Sequence, residues 1–104
     1  MERLVDETID PMRAIAEKYL AIPCSVMTPN KGREELLTEL IKEYKVDGVI
    51  DIILQSCHTY AIETKTIQKH VNSLEIPFLT IETDYSTSDS GQIRTRLEAF
   101  VEMI

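Results

Sequence analysis

Two cysteines and two histidines are the side chains of this chain best suited to nucleophilic or metal-binding chemistry. Cys57 lies in LQSCHTY (54–60), directly after the apolar run VIDIIL and at the mouth of an expected helix. Free backbone N–H groups and the dipole at a helix start favour negative charge, and this lowers a thiol's pKa and favours thiolate, the form that metals bind. Cys24 follows Pro23 in a loop, further ahead of its helix. The plainer reading of either is a packed thiol. His58 sits next to Cys57, but adjacent residues do not face each other, so the two make no nucleophile–base pair. His70 reads as a partly exposed surface residue. A structural zinc site needs four ligands with a tight C-x-x-C pair, and the chain has none. Cysteine catalysis needs a base oriented by a third group, and no spacing supplies one.

The elements that would hold these residues read clearly. Asp10-Pro11 is an N-cap followed by proline at the first helical position. Met12, Ile15, Ala16, Tyr19 and Leu20 then line one face of a helix that Pro23 ends. A second helix spans about 32–45, with Leu36, Leu37, Leu40, Ile41 and Tyr44 on its apolar face. VIDIIL (49–54) has the pattern of a parallel strand covered on both faces. Asp51 interrupts it, which places that residue at an exposed sheet edge or against a domain outside the chain. A third helix, about 59–74, turns Tyr60, Ile67, Val71 and Leu74 inward. A second strand, PFLTIET, follows, then the polar loop DYSTSDSG and a last helix carrying Ile93, Leu97, Phe100 and Ile104.

Strand–helix–strand implies a parallel pair with a right-handed crossover. The expected fold is a single α/β domain over 1–104, small and Rossmann- or flavodoxin-like, with a parallel sheet of two or three strands flanked by about four helices. Residues around 21–27 are the candidate third strand; otherwise the domain leans on a partner. Ligands of such sheets bind beyond the carboxyl ends of the strands, where the loops around Gln55 and Asp84 lie. Asp84 and Ser88 can equally cap turns and the last helix. Arg94 and Arg96, near that helix's start, are expected to pair with an acid such as Asp84 or Asp89, or else with a phosphate.

Charge narrows the partners. The net charge is −7, with 7 basic against 9 acidic residues in 1–46 and 4 against 9 in 47–104. This field repels a phosphate backbone and argues against nucleic acid. No apolar run is long enough to cross a bilayer, and MERLVDETID is no secretory signal, so neither a membrane nor an export route is expected. The expected location is the cytoplasm, where a Cys24–Cys57 disulfide is not expected.

Four segments in order, VDGVI (46–50), QSCHTY (55–60), IPFLTIETDYS (76–86) and GQIRTRLEAFVEM (91–103), resemble the C-terminal end of the 2-hydroxyacyl-CoA dehydratase family. That family includes 2-hydroxyglutaryl-CoA dehydratase D-components and benzoyl-CoA reductase subunits. The likeness is continuous from about residue 33 to the end and weaker over 10–30. It implies a [4Fe–4S] cluster held by three cysteines per subunit, of which Cys24 and Cys57 match the two C-terminal ones. It also implies an ATP-dependent activator that delivers one electron, an acyl-CoA thioester that becomes a ketyl radical, and loss of the 2-hydroxyl to give an enoyl-CoA. Gln55, His58, Asp84, Tyr85, Ser86 and Arg96 would then support the cluster or line the pocket. Family subunits are several times longer, and their N-terminal domain supplies the third cysteine. The chain is therefore expected to need that domain or a homologous subunit, or to pool cysteines as a homodimer. The alternatives are a short accessory or binding module without cluster chemistry, and a dimeric iron–sulfur electron carrier.

Overall fold

Asp10 starts the first helix as the dipeptide Asp10-Pro11 predicts. In the computed structural model, which describes residues 3–24, 26 and 29–104, its Oδ2 accepts from the Arg13 N–H at 3.1 Å, and Pro11 opens α1 (Pro11–Leu20). The chain divides into two compact units, Met1–Asn30 and Lys31–Ile104. Within the first, the apolar stripe assigned to the inward face of α1 is exposed: Met12, Ile15, Tyr19 and Leu20 all face solvent, and Ala14 is the buried residue. Periodicity marks an apolar face but not what covers it. Beyond α1, none of the described residues of 21–27 forms a strand, and Ser25 and Met27 lie outside the described residues.

The second unit contains α2 (Lys31–Tyr44), β1 (Val49–Leu54), α3 (His58–Ser73), β2 (Phe78–Thr83) and α4 (Ser90–Met103). The strands pair in parallel with Val49 opposite Phe78 and Leu54 opposite Thr83. This is the α/β unit expected from the strand–helix–strand order, with four helices in the described chain and a two-stranded sheet. Ile41 of α2 and Ile67 and Val71 of α3 form the buried cluster, packed by Leu37, Val46, Val49, Leu74, Ile76 and Phe78. Tyr44, expected on this apolar face, is exposed instead, one residue short of the turn that takes the chain away. That turn and the one after α3 are alike. Lys45 and Glu75 take left-handed φ of 50° and 61°, and the next N–H reaches back to the helix, Val46 to Ile41 O at 3.2 Å and Ile76 to Val71 O at 3.4 Å. These 6→1 bonds satisfy orphan helix carbonyls without glycine.

One side of β1 is packed and the other is not. Val49, Asp51 and Ile53 alternate onto the α3 side, where Ile53 is buried; Ile50, Ile52 and Leu54 point to the other face and are exposed, Ile52 at 68%. The run VIDIIL therefore lacks the second cover its composition predicts. Asp51 lies on an edge strand, as one of the two expectations had it, but its side chain is half-buried against α3, where its Oδ2 accepts from the Thr64 hydroxyl at 2.8 Å. A Thr at that turn of α3 supplies a partner for the half-buried carboxylate. At the other end of the unit, α4 approaches the start of β1 so closely that a Cβ on Gly48 would stand 2.9 Å from both Phe100 Cζ and Ile104 Cδ1. Phe100 is buried, Ile93 and Leu97 are half-buried, and Ile104 follows the helix and is exposed.

Candidate functional site

Because the two strands are parallel and end in register, their following loops leave the same edge of the sheet. The Gln55 N–H ties them together by donating to Thr83 O at 2.7 Å. Residues 55–57 and 84–89 therefore flank one rim, and each runs into a helix N-terminus. Ser56 turns the first loop with φ 66°, a left-handed conformation that costs a non-glycine residue about 1 kcal/mol. The Cys57 N–H then returns to Leu54 O at 3.0 Å, and Cys57 itself is the N-cap of α3.

Cys57 makes no side-chain cap bond; its Sγ lies 4.0 Å from Thr59 Oγ1, and it is partly exposed. Serine, threonine and aspartate satisfy helix-start N–H groups; a cysteine there leaves them for an anionic sulfur or its ligand. His58 is the first residue of α3 and is exposed, as is Gln55.

Across the rim, the Asp84 carboxylate closes a turn by accepting from the Ser86 N–H at 2.7 Å, while Ser86 and Ser88 hydroxyls meet at 2.8 Å. Hydrogen bonding from the Ser86 side chain, then from its backbone N–H, holds Asp84 below its ordinary carboxylate value of 3.8. A depressed folded-state pKa means stability that is complete above pH 3.8 and is lost as pH falls through the lower native value. An NMR titration is expected to place the Asp84 midpoint below 3.8, and Ser86→Ala to move it back upward; an unchanged midpoint in the variant contradicts this account. Tyr85 beside it is 93% exposed.

Ser88 does not cap α4. Asp89 holds that position, and its Oδ2 instead accepts from the Thr83 hydroxyl at 2.9 Å, fastening the end of β2 to the start of α4. Arg94 pairs with Glu98 one turn on at 2.8 Å, as an acidic partner was expected, but not with Asp84 or Asp89. Arg96 turns back along β2, its Nη2 donating to Thr80 O at 2.7 Å. A backbone carbonyl thus takes the place of the expected acid.

Cys24 belongs to the other unit and is exposed. Its carbonyl accepts from Asn30 Nδ2 at 2.9 Å, and Pro23 O accepts from the same amide at 3.3 Å, so Asn30 clasps the loop that carries the thiol. Both cysteines are free thiols, and among the described residues no group of three or more His, Cys, Asp or Glu gathers to hold a metal. As donors for an iron–sulfur cluster, each cysteine is accessible in its own unit, and Cys57 is presented at a helix start.

Spacing alone did not single out the polar cluster on the packed side of β1. Arg33 Nη1 meets Glu63 Oε2 at 3.0 Å, and the guanidinium lies 4.9 Å from the centroid of the Tyr60 ring. The Glu63 side chain is only 10% exposed and its Oε1 has no hydrogen-bond partner. The available signal was Tyr60, Glu63, Thr64 and Ile67 recurring at helical spacing on one stripe of α3. Further along the α2–α3 seam, the Thr38 hydroxyl donates to Glu34 O at 3.0 Å, so the His70 Nε2, 2.7 Å away, is the donor to Thr38 Oγ1. That histidine has a structural partner, not a catalytic one.

The model of the family "2-hydroxyglutaryl-CoA dehydratase, D-component" matches residues 1–104. The chain belongs to this family. It is 54% identical over 104 residues to YjiM of Escherichia coli, which is named as a dehydratase subunit; the match covers 99% of the chain and 27% of YjiM. It is 31% identical over 102 residues to the (R)-phenyllactyl-CoA dehydratase beta subunit of Clostridium sporogenes, covering 97% of the chain and 27% of that subunit. With the (R)-2-hydroxyglutaryl-CoA dehydratase subunit beta of Acidaminococcus fermentans it shares 35% identity over 72 residues, 69% of the chain and 19% of the relative. The D-component family chain thus spans about a quarter of the length of the curated relatives it matches. Among its described residues no helix is long and apolar enough to cross a membrane.

Proposed function

We propose that this chain is the C-terminal α/β domain of a beta-type subunit of a 2-hydroxyacyl-CoA dehydratase, and that Cys57 and Cys24 are two of the thiolates that hold a [4Fe–4S] cluster. The observation that carries the reading is the placing of Cys57: an accessible thiol at the N-cap of α3, beyond the carboxyl end of β1, after a strained Ser56. When bound, such a cluster supplies one-electron chemistry and an open iron that can polarise a substrate oxygen.

The chain's own residues would act around it. The first-turn N–H groups of α3 stabilise negative charge on the Cys57 sulfur. Gln55 keeps the two loops at a fixed separation through its bond to Thr83 O. The Asp84–Ser86 turn sets the far wall of the rim, where exposed Tyr85 and His58 are available to an acyl-CoA substrate. Arg96, turned along β2, would help position α4 through its bond to Thr80 O. The remaining ligand, most of the substrate pocket and the docking of an ATP-dependent activator would come from the rest of the subunit or from a companion subunit.

The test replaces the matched segment of full-length YjiM with this chain and measures iron and acid-labile sulfide after anaerobic reconstitution. Wild type is expected to bind iron stoichiometrically, and Cys57→Ser to lose most of it along with reconstitutable dehydratase activity. Equal iron in both proteins rejects Cys57 as a ligand.

A further inference from the structure

The ladder between β1 and β2 uses only half of the β1 backbone. Val49 N–H donates to Pro77 O at 2.9 Å and Gln55 N–H to Thr83 O at 2.7 Å. In a parallel pair, alternate residues turn both backbone groups to the same neighbour. With Val49 opposite Phe78, residues 49, 51, 53 and 55 face β2, and residues 50, 52 and 54 face away from it. Among the described residues nothing accepts from the N–H of Ile50, Ile52 or Leu54, or donates to the carbonyls of Ile50 and Ile52; Leu54 O takes the Cys57 N–H.

The side chains of those same three residues are apolar and exposed. Natural edge strands are blunted by lysine, proline or short length, and parallel sheets occur almost only as buried sheets of several strands. An edge of Ile, Ile and Leu with an unpaired backbone has the character of a central strand. Beside it lies a cavity of about 150 Å³ whose lining includes Ile50 and Asp51, residues that leave opposite faces of β1, together with Arg33 and Glu63.

We infer that the open edge of β1 is an interface that receives a further parallel β-strand from the part of the dehydratase subunit that lies outside this chain. This rests on the reading of the chain as one domain of a longer subunit. An extended backbone is the partner that meets donors and acceptors alternating along a strand edge, and its own apolar side chains would cover Ile50, Ile52 and Leu54. The relatives have the polypeptide to supply it, since the matched region is 27% of YjiM.

The experiment compares amide hydrogen exchange in the 104-residue chain and in the YjiM chimera described above. The Ile50, Ile52 and Leu54 amides are expected to exchange freely in the isolated chain and at least about 100-fold more slowly in the chimera, as amides buried in a sheet do. Asp51 and Ile53 serve as internal controls, protected in both. Free exchange of the three amides in a chimera whose Ile53 is protected overturns the inference. So does protection that arises in the isolated chain as its concentration rises, which assigns the edge to a second copy. If the chimera does not fold, the same exchange is measured on YjiM itself at the aligned positions, where protection supports the inference and free exchange overturns it. Iron content is measured on the same samples: a protected edge without iron rejects the cluster proposal and leaves the interface standing.

Discussion

Phe100→Ala is expected to destabilise the Lys31–Ile104 unit by about 3–5 kcal/mol, as removing a buried aromatic ring from a packed site does. The reason lies in how α4 is attached. Its Arg94–Glu98 pair is within the helix and exposed, and Arg96 contributes one hydrogen bond to Thr80 O. The helix has no basic residue in its last turn and, past the N-cap Asp89, no acidic one in its first, so charge adds little to its hold at either end.

Phe100, 5% exposed, is its buried anchor, and the ring stands where a Cβ on residue 48 would otherwise be, 2.9 Å from Cζ and 3.0 Å from Cε1. Gly48→Ala therefore overpacks the same spot and is expected to cost about 1–3 kcal/mol. The two changes should not add. With the ring gone, only the tip of the exposed Ile104 side chain, which can move aside, still crowds the new methyl, so the double variant is expected to be at least about 1 kcal/mol more stable than the sum of the singles predicts. Urea denaturation of the four proteins measures this, and simple additivity would show that the Gly48–Phe100 contact does not limit the packing.

Arg33→Ala is expected to cost about 3 kcal/mol, far more than Glu63→Gln, for which about 1 kcal/mol is expected. The asymmetry follows from burial. The Arg33 side chain is 27% exposed and can be rehydrated when its partner is neutralised, whereas the Glu63 carboxylate is 10% exposed, and its Oε1 already has no hydrogen-bond partner. Removing Arg33 strands a buried charge; neutralising Glu63 does not. Arg33→Ala also removes the guanidinium from the Tyr60 face, adding up to about 1 kcal/mol at such an exposed ring. The order of the two variants in denaturant midpoint at neutral pH decides the point: a Glu63→Gln loss equal to the Arg33→Ala loss would mean that the pair is solvated in solution.

The strand–helix–strand unit was legible in the sequence because its signals are local: a β-branched run, a helical stripe of Ile67 and Val71, a second run after Pro77. The position of Cys57 at a helix start was legible for the same reason, and the structure moves it only to the N-cap itself. What local pattern does not carry is the partner across space. The apolar stripe of α1 and Tyr44 of α2 have helical spacing without burial, and Ile50, Ile52 and Leu54 have strand composition without cover. Asp51 looked anomalous because its partner, the Thr64 hydroxyl, is thirteen residues away on another element. Arg96 was expected to seek an acid and found a carbonyl, since helix packing brought Thr80 within its reach first.

The Asp51–Thr64 bond also bears on what happens before the fold is complete. VIDIIL without its aspartate would be an uncharged six-residue stretch of high β-propensity, the composition that stacks into cross-β zippers. Asp51 places a negative charge in the middle of that stretch, so identical strands brought into register repel one another in the nascent or unpaired chain. The native structure accommodates the same carboxylate on α3, whose Thr64 hydroxyl receives it. A single residue thus discourages the strand from assembling with copies of itself while leaving it competent to pair inside its own protein.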